Sequence, residues 1–168
     1  DMIMAFPALI LAIALMVALG ASLINVIVAI AVTRLPYSVR VVRSVGLAAK
    51  QMAYVDAARA IGASPLRIML SHIAPACLPS FIVVVTGSLG VAILMEASLS
   101  FLGVGIPLIT PTWGGMLGGI SADMFNPLPW LVYPPGIAIF VTVLAFNLLG
   151  DALRDILDPK LRGYSERA

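Results

Sequence analysis

Apolar residues occupy most of this chain in long runs, and charged residues are gathered between and after the runs. Residues 2–33 carry only three polar side chains, and uncharged, mostly apolar runs also cover 73–95 and 131–149. An amphipathic helix of a soluble protein has one apolar stripe and a charged face. These runs are instead apolar on all sides, and they approach or exceed the ~20 residues that cross a bilayer. The pattern predicts an all-α integral membrane protein.

The first apolar run is too long for one ordinary span. As a single helix, residues 2–33 would measure about 48 Å, whereas the hydrocarbon core is about 30 Å thick. Gly20-Ala21-Ser22 offers a break, with Ser22 as the N-cap of the next helix. We therefore predict two spans, roughly 3–19 and 22–45, with a single tilted helix as the alternative. Together with the two later runs, this gives about four transmembrane helices.

Composition supports the membrane class and leaves little room for catalysis. The 168 residues are 61% hydrophobic and 11% charged, against about 25% charged in a soluble domain. One histidine and one cysteine (Cys77) provide neither a metal cage nor a disulfide nor a convincing catalytic pair. No Gly-x-x-x-x-Gly-Lys-Ser/Thr phosphate loop is present. We expect no enzyme activity, no catalytic residues, and no metal or cofactor bound by this chain.

The positions of the charges predict the orientation in the membrane. Six of the ten Lys and Arg residues lie between positions 34 and 67, the other four lie in the last fifteen residues, and none lies in 68–153. The positive-inside rule therefore puts the 34–75 loop and the 151–168 tail in the cytoplasm, and makes 96–129 an outer loop. Because the cations flank membrane segments and lack an aromatic platform, nucleic-acid binding is not expected.

A polar segment between two spans, residues 50–75, has the pattern of a helical elbow, and we refer to it by that name. Its first half is rich in helix-forming residues, and Gly62 suits the left-handed position that ends a helix. Ser64 would cap the next helix, and Pro65 would be its first residue. An apolar stripe then follows at helical spacing, made by Leu66, Met69, Leu70 and Ile73.

Glycine and proline predict irregular backbone outside the elbow. Pro75 and Pro79 would make the entry to the third span irregular, and Pro134-Pro135-Gly136 would break the last span early. The loop at 96–129 would contain a short helix near Met116–Met124. The tail would begin with a helical turn at Asp151–Leu157.

Several motifs in order resemble the permease subunits of binding-protein-dependent ABC importers. Asp56-Ala57-Ala58, three residues, Gly62, nine residues and His72-Ile73-Ala74-Pro75 keep the spacing of that family's cytoplasmic EAA loop, Glu-Ala-Ala, three residues, Gly, nine residues and Ile-x-Leu-Pro. Asp56, His72 and Ala74 depart from the general pattern. Further stretches at 96–103, 110–114 and 144–159 are similar to the dipeptide, oligopeptide and nickel branch. The resemblance covers nearly the whole chain and corresponds to the last four helices of a six-helix subunit, so we expect a fragment without the N-terminal helices.

The resemblance implies a single transmembrane permease domain over 1–168 that imports di- or oligopeptides across the cell inner membrane. Its elbow would be a coupling helix that docks on cytoplasmic ATPase subunits, which bind the ATP. A second permease subunit, an extracytoplasmic substrate-binding protein and membrane lipid would be the other partners. The docking residues carried over by the motif and its turn are Asp56, Ala57, Ala58, Arg59, Gly62, Ala63, Ser64 and Pro65.

Alternatives remain at the level of function and of single residues. Import of nickel or another small solute, an ion-gradient transporter and a scaffold subunit are the rival functions. The elbow would otherwise be a membrane-surface segment with a solvated charged face. Four residues would serve the translocation pathway or a subunit interface: Glu96, Gly87, Gly90 and Trp113. For Glu96, a headgroup-level carboxylate is the simpler interpretation; for Trp113, packing of the Gly-rich loop is an alternative to binding-protein contact.

Overall fold

The computed structural model describes residues 2–107, 109–122 and 129–157, and within these ranges the protein is helical without strands. This confirms the predicted all-α fold. Short 3-10 turns occur at Met2–Ala5 and Pro129–Leu131, and a π-helix occupies Met69–Ile73. The α-helices are α1 (Ala8–Leu19), α2 (Leu23–Lys50), α3 (Ala53–Ala60), α4 (Pro65–Ile68), α5 (Ala74–Phe101), α6 (Trp113–Ala122) and α7 (Tyr133–Leu157).

Three helical segments among the described residues are long and apolar enough to cross a membrane. They are Leu23–Lys50, Pro65–Phe101 and Tyr133–Ile156. The first predicted span is shorter than expected, because α1 has 12 residues and therefore measures about 18 Å. The prediction of about four transmembrane helices thus corresponds to three full-length helices and one short apolar helix.

The break between α1 and α2 lies at the predicted position and excludes a single tilted helix. Gly20 adopts a φ of 86° and donates its N–H to the Met16 carbonyl at 2.8 Å. Ser22 Oγ accepts from the Asn25 backbone N–H at 3.1 Å, as an N-cap does. The Asn25 side-chain amide donates to the carbonyls of Leu19 at 2.8 Å and Gly20 at 2.9 Å. Asn25 therefore satisfies carbonyls that are costly to leave unpaired in lipid, a role that the sequence did not indicate.

The entry to the third span is irregular beside Pro75, as predicted, but the helix does not end at either proline. Helical structure continues from Pro65 to Phe101 over 37 residues. Immediately before Pro75 the chain widens into the π-helix, where the Ala74 N–H bonds to the Met69 carbonyl five residues earlier. A proline lacks an N–H and crowds the carbonyl four residues before it. The wider turn changes this spacing, so the helix passes through the proline-containing segment instead of ending there.

The predicted break at Pro134-Pro135-Gly136 is wrong. These residues lie in the first turn of α7, which begins at Tyr133. Backbone N–H groups have no intrahelical partner in a first turn, so proline removes nothing there. The helix then continues without interruption to Leu157, so Asp151–Leu157 is the end of a long helix and not a separate turn. The rest of the predicted tail, 158–168, lies outside the described residues.

The chain divides into two compact units, Asp1–Pro36 with Ser88–Asn147, and Tyr37–Gly87 with Leu148–Ala168. The long helices α2, α5 and α7 contribute residues to both. In the first unit, the C-terminus of α5 is closed by Gly103, whose φ is 75°, and the Val104 N–H donates to the Leu99 carbonyl at 3.1 Å. The buried core of this unit consists of Ala12, Met16, Val26, Ala29, Met95 and Leu99.

Two glycines bring α6 against the end of α5 in the same unit. A Cβ atom added to Gly114 would overlap the backbone of Ala97, and one added to Gly118 would lie 2.5 Å from the Phe101 carbonyl oxygen. This small-xxx-small spacing allows close backbone approach, as at helix interfaces in membranes. The predicted outer loop thus starts after Phe101 and not at Glu96. Its helix begins three residues earlier than the predicted Met116, and Met124 lies outside the described residues.

Candidate functional site

The turn of the elbow is a complete Schellman motif built on Gly62. Gly62 has a φ of 82°, confirming the predicted left-handed position. Its N–H donates to the Arg59 carbonyl at 2.9 Å, and the Ala63 N–H donates to the Ala58 carbonyl at 3.1 Å. Both bonds satisfy carbonyls that the end of α3 would otherwise leave unpaired. The direction of the chain after α3 is therefore fixed by the backbone.

The second helix of the elbow starts where the sequence predicts. Ser64 Oγ accepts from the Arg67 backbone N–H at 3.4 Å, and Pro65 is the first residue of α4. Only three residues separate the end of α3 at Ala60 from this cap at Ser64. The elbow is therefore a tight helix–turn–helix with a defined backbone path.

A small apolar core holds α3 against α4. Val55 is fully buried, and Ala58 and Ile68 are buried with it, while Ala63 and Ile73 pack partly buried against this cluster. Ile68 is the buried residue of α4. Of the residues in the predicted apolar stripe, Leu66, Met69 and Leu70 are largely exposed in the structure. Only Ile73 of that stripe contacts this core.

Of the eight predicted docking residues, Ala58 is buried, Ala63 is half-buried and the other six are exposed. Arg59 and Asp56 form an i,i+3 ion pair with a nitrogen–oxygen distance of 3.0 Å. Both side chains are solvent-exposed, so the pair contributes no more than about 1 kcal/mol to stability. Ala58 thus supports the shape of the elbow, whereas Asp56 and Arg59 are presented on its surface.

The tip of the elbow carries an exposed apolar side chain beside a hollow. Ile61, immediately before Gly62, is 86% exposed. A hollow of about 380 Å³ adjoins it, lined by Ala58, Ile61, Gly62, Ala63, Arg67, Ser71 and His72. The His72 ring lies 6.2 Å from that of Tyr54 at 52°, a contact that sequence spacing did not suggest. The tip thus presents an apolar side chain on a turn whose backbone path is fixed.

The four other predicted site residues separate into three locations. Glu96 on α5 and Trp113, the first residue of α6, line one hollow of about 370 Å³. Gly90 is closely approached by α7, because an added Cβ would lie 3.0 Å from Asn147 Oδ1. At Gly87 an added Cβ meets nothing within 4 Å, although a Cβ added to Gly150 of α7 would lie 3.6 Å from the Gly87 backbone nitrogen. Across 2–107, 109–122 and 129–157, no cluster of three or more His, Cys, Asp or Glu is present.

Comparison with known proteins identifies related transport components. Residues 1–163 match the family described as binding-protein-dependent transport system inner membrane component. Over 163 residues the chain is 48% identical to the glutathione transport system permease protein GsiD of Escherichia coli O1:K1 / APEC, and equally to those of Shigella flexneri serotype 5b and Salmonella typhimurium strain LT2. Each match covers 97% of this chain and 54% of the relative. The chain thus spans about half the length of these curated relatives.

Proposed function

The chain belongs to the family of binding-protein-dependent transport system inner membrane components, and we propose that it forms part of the translocation pathway of an ATP-driven importer. It is a multi-pass membrane protein. Like the transport permeases that it matches, it is not an enzyme. In the proposed assembly it pairs with a second permease subunit. Cytoplasmic ATPase subunits supply the energy, since the sequence contains no phosphate-loop motif. A binding protein delivers the substrate on the outer side.

The elbow is the proposed contact with the ATPase. The observation that carries this proposal is Ile61, an apolar side chain 86% exposed on a turn that is fixed by the Gly62 hydrogen bonds and the Val55 core. Such an anchor gains binding energy when a partner pocket covers it. Because α4 continues through the π-helix into α5, displacement of the elbow would be passed to one 37-residue helical segment. Rigid-body coupling of this kind suits alternating access.

The proposed cargo is a small peptide. Relatives at 48% identity are permeases of glutathione transport systems, and glutathione is itself a peptide. This support favours a peptide over nickel or another small solute, and ATP-driven import over an ion gradient. The proposed orientation, with the 34–75 loop and the tail in the cytoplasm, is supported by the distribution of Lys and Arg in the sequence.

The sharpest test of the docking proposal replaces the exposed anchor. Ile61→Asp should leave the protein in the membrane, because the side chain makes no core contact. It should lower recovery of the ATPase with the affinity-purified transporter at least tenfold, since a buried apolar anchor is typically worth about 2 kcal/mol or more. ATP-dependent uptake of glutathione into proteoliposomes that contain the full transporter and binding protein should fall with it.

Ile109→Asp is the matched control, because Ile109 is 96% exposed and lies in the predicted outer loop. That variant should retain the ATPase. Normal ATPase recovery and uptake in Ile61→Asp would contradict the role of the elbow.

A further inference from the structure

The hollow between the end of α5 and the start of α6 has walls that are fixed by short-range contacts. Thr112 Oγ1 accepts from the Gly115 backbone N–H at 2.9 Å and so caps α6. Gly114 brings the same turn onto the backbone of Ala97. Trp113, between these two positions, is thereby held at the edge of the hollow, which is lined by Glu96, Ile106, Pro111, Thr112, Trp113 and Met116.

Glu96 is the charged member of this lining. Its Oε1 accepts from the Ser100 hydroxyl at 2.7 Å. Ser100 is buried at 3% exposure, and its oxygen also accepts from the Ile106 N–H at 3.4 Å, so the serine is fixed in turn. The carboxylate is therefore positioned and half-buried.

No cation is supplied to Glu96 by the described part of the chain, where it forms no ion pair. The sequence also contains no Lys or Arg anywhere between 68 and 153. The Ser100 hydroxyl satisfies one carboxylate oxygen but leaves the negative charge, and a charge that is half-buried in a largely apolar wall is stabilised by a cationic partner. The hollow thus leaves a place for a positively charged group that comes from outside residues 68–153.

The other walls indicate which cation fits. Trp113 is the aromatic residue best suited to attract a cation over its ring face, and Ile106, Pro111 and Met116 provide apolar contact. A carboxylate combined with an indole suits an ammonium group attached to a small aliphatic body. The volume of about 370 Å³ is at the low end for ligand pockets and accommodates about one residue of a peptide.

We propose that the Glu96–Trp113 hollow binds the free amino terminus of the transported peptide. Glu96 pairs with the ammonium group, Trp113 faces it, and the apolar wall contacts the first side chain. This inference rests on the proposed peptide-import function and adds the chemical group that the permease itself recognises.

The test measures binding directly on the assembled permease–ATPase complex in nanodiscs without binding protein. Saturation-transfer NMR would compare alanylalanine with N-acetyl-alanylalanine, which has no ammonium group. Alanylalanine should bind at least about tenfold more tightly, since hydrogen bonds to charged groups contribute about 1.5–3 kcal/mol. Glu96→Gln should weaken alanylalanine about tenfold and leave the acetylated peptide unchanged.

Two further variants complete the test. Glu166→Gln makes the same chemical change beyond the residues that match the family, and it should bind alanylalanine like the wild type. Trp113→Phe should bind more weakly than the wild type but more tightly than Trp113→Ala, in the order of cation affinity of the rings. Assembly with the ATPase is measured by co-purification. It should be unchanged in Glu96→Gln, and this result would show that the variant folds.

Three outcomes would overturn the proposal: equal binding of the two peptides, unchanged affinity in Glu96→Gln, or a zero-length carbodiimide cross-link joining Glu96 to a lysine of another subunit. The last would identify Glu96 as an intersubunit ion-pair partner. Failure of the underlying import function is seen separately, as absent ATP-dependent uptake by the complete wild-type transporter, whatever the binding result.

Discussion

Among single residues, Gly62 has the clearest structural role, because the elbow turns at its backbone. Its φ of 82° lies in the left-handed region, and an added Cβ would contact nothing within 4 Å. Replacement therefore creates backbone strain without a steric clash. For an L-residue that strain is roughly 1–2 kcal/mol.

We predict that Gly62→Ala loosens the turn without unfolding the protein. Amide hydrogen exchange of the 58–68 segment, measured by mass spectrometry, should be about 5–30-fold faster. A strain of about 1–2 kcal/mol changes the equilibrium for local opening by that factor. The Ala63 N–H, which bonds to the Ala58 carbonyl, should lose protection first. Gly87→Ala is the control, because Gly87 has no positive φ and no neighbour in the way. Unchanged exchange in Gly62→Ala would show that other contacts hold the turn.

The local chemistry of the elbow could be predicted from sequence, but its packing could not. Gly62, Ser64 and Pro65 act through their own backbone geometry and nearest neighbours, so their identities indicate the turn directly. The burial of Ala58 and Ile68 depends instead on how α3 meets α4. Because the stripe at Leu66 satisfies the same helical spacing, periodicity alone could not show which face of α4 is buried.

At the level of helices, the location of helix ends depended on context that single residues do not reveal. Pro75 and Pro79 predicted an irregular entry to the third span, and the irregularity takes the form of a π-helix at Met69–Ile73 that lets the helix continue. Pro134 and Pro135 predicted a break, but they lie in a first turn where proline is accommodated. Proline marks a constraint on the hydrogen-bond pattern, and whether the helix ends there depends on the residues that precede it.

The packing of α6 on α5 gives a prediction for a pair of neighbouring glycines. Gly118→Ala should destabilise the protein by about 1–3 kcal/mol, because the new methyl group would press on the Phe101 carbonyl oxygen. Gly119→Ala, one residue further along the same helix, meets nothing within 4 Å and should be neutral or slightly stabilising through helix propensity. Thermal unfolding of the detergent-solubilised protein checks both changes. A lower melting temperature for Gly119→Ala than for Gly118→Ala would refute this packing.

For the molecule as a whole, charge and hydropathy predicted the class better than the number of spans. Apolar runs and the placement of Lys and Arg were sufficient for an all-α membrane protein. The short length of α1 was not predicted, because residues 3–7 are apolar and fall within the predicted span. In the structure α1 begins only after Pro7 and ends before Gly20. Asn25 then joins α1 to α2 by hydrogen bonds that sequence could not specify.

Orientation in the membrane is the property of the whole molecule that the charge pattern predicts most directly. In a Cys77→Ala background, cysteine introduced at Ile61 should react with a membrane-impermeant maleimide only after cells are permeabilised. Cysteine at Ile109 should react in intact spheroplasts. The two sites are matched, because both isoleucines are highly exposed, at 86% and 96%. Because docking on an ATPase would cover residue 61, the permease is expressed without the ATPase subunits, and the difference in labelling then reports the side of the membrane.

The physical reason for this outcome is the positive-inside rule, because the cations of the 34–67 segment resist transfer across the membrane. The Pro65–Phe101 helix is long and apolar enough to cross the bilayer, and if it does so, residues 61 and 109 are expected on opposite sides. Labelling of both sites in intact spheroplasts would mean that α5 does not span. Labelling of residue 61 alone would mean that the elbow lies outside, which would exclude contact with a cytoplasmic ATPase and the coupling role proposed for it.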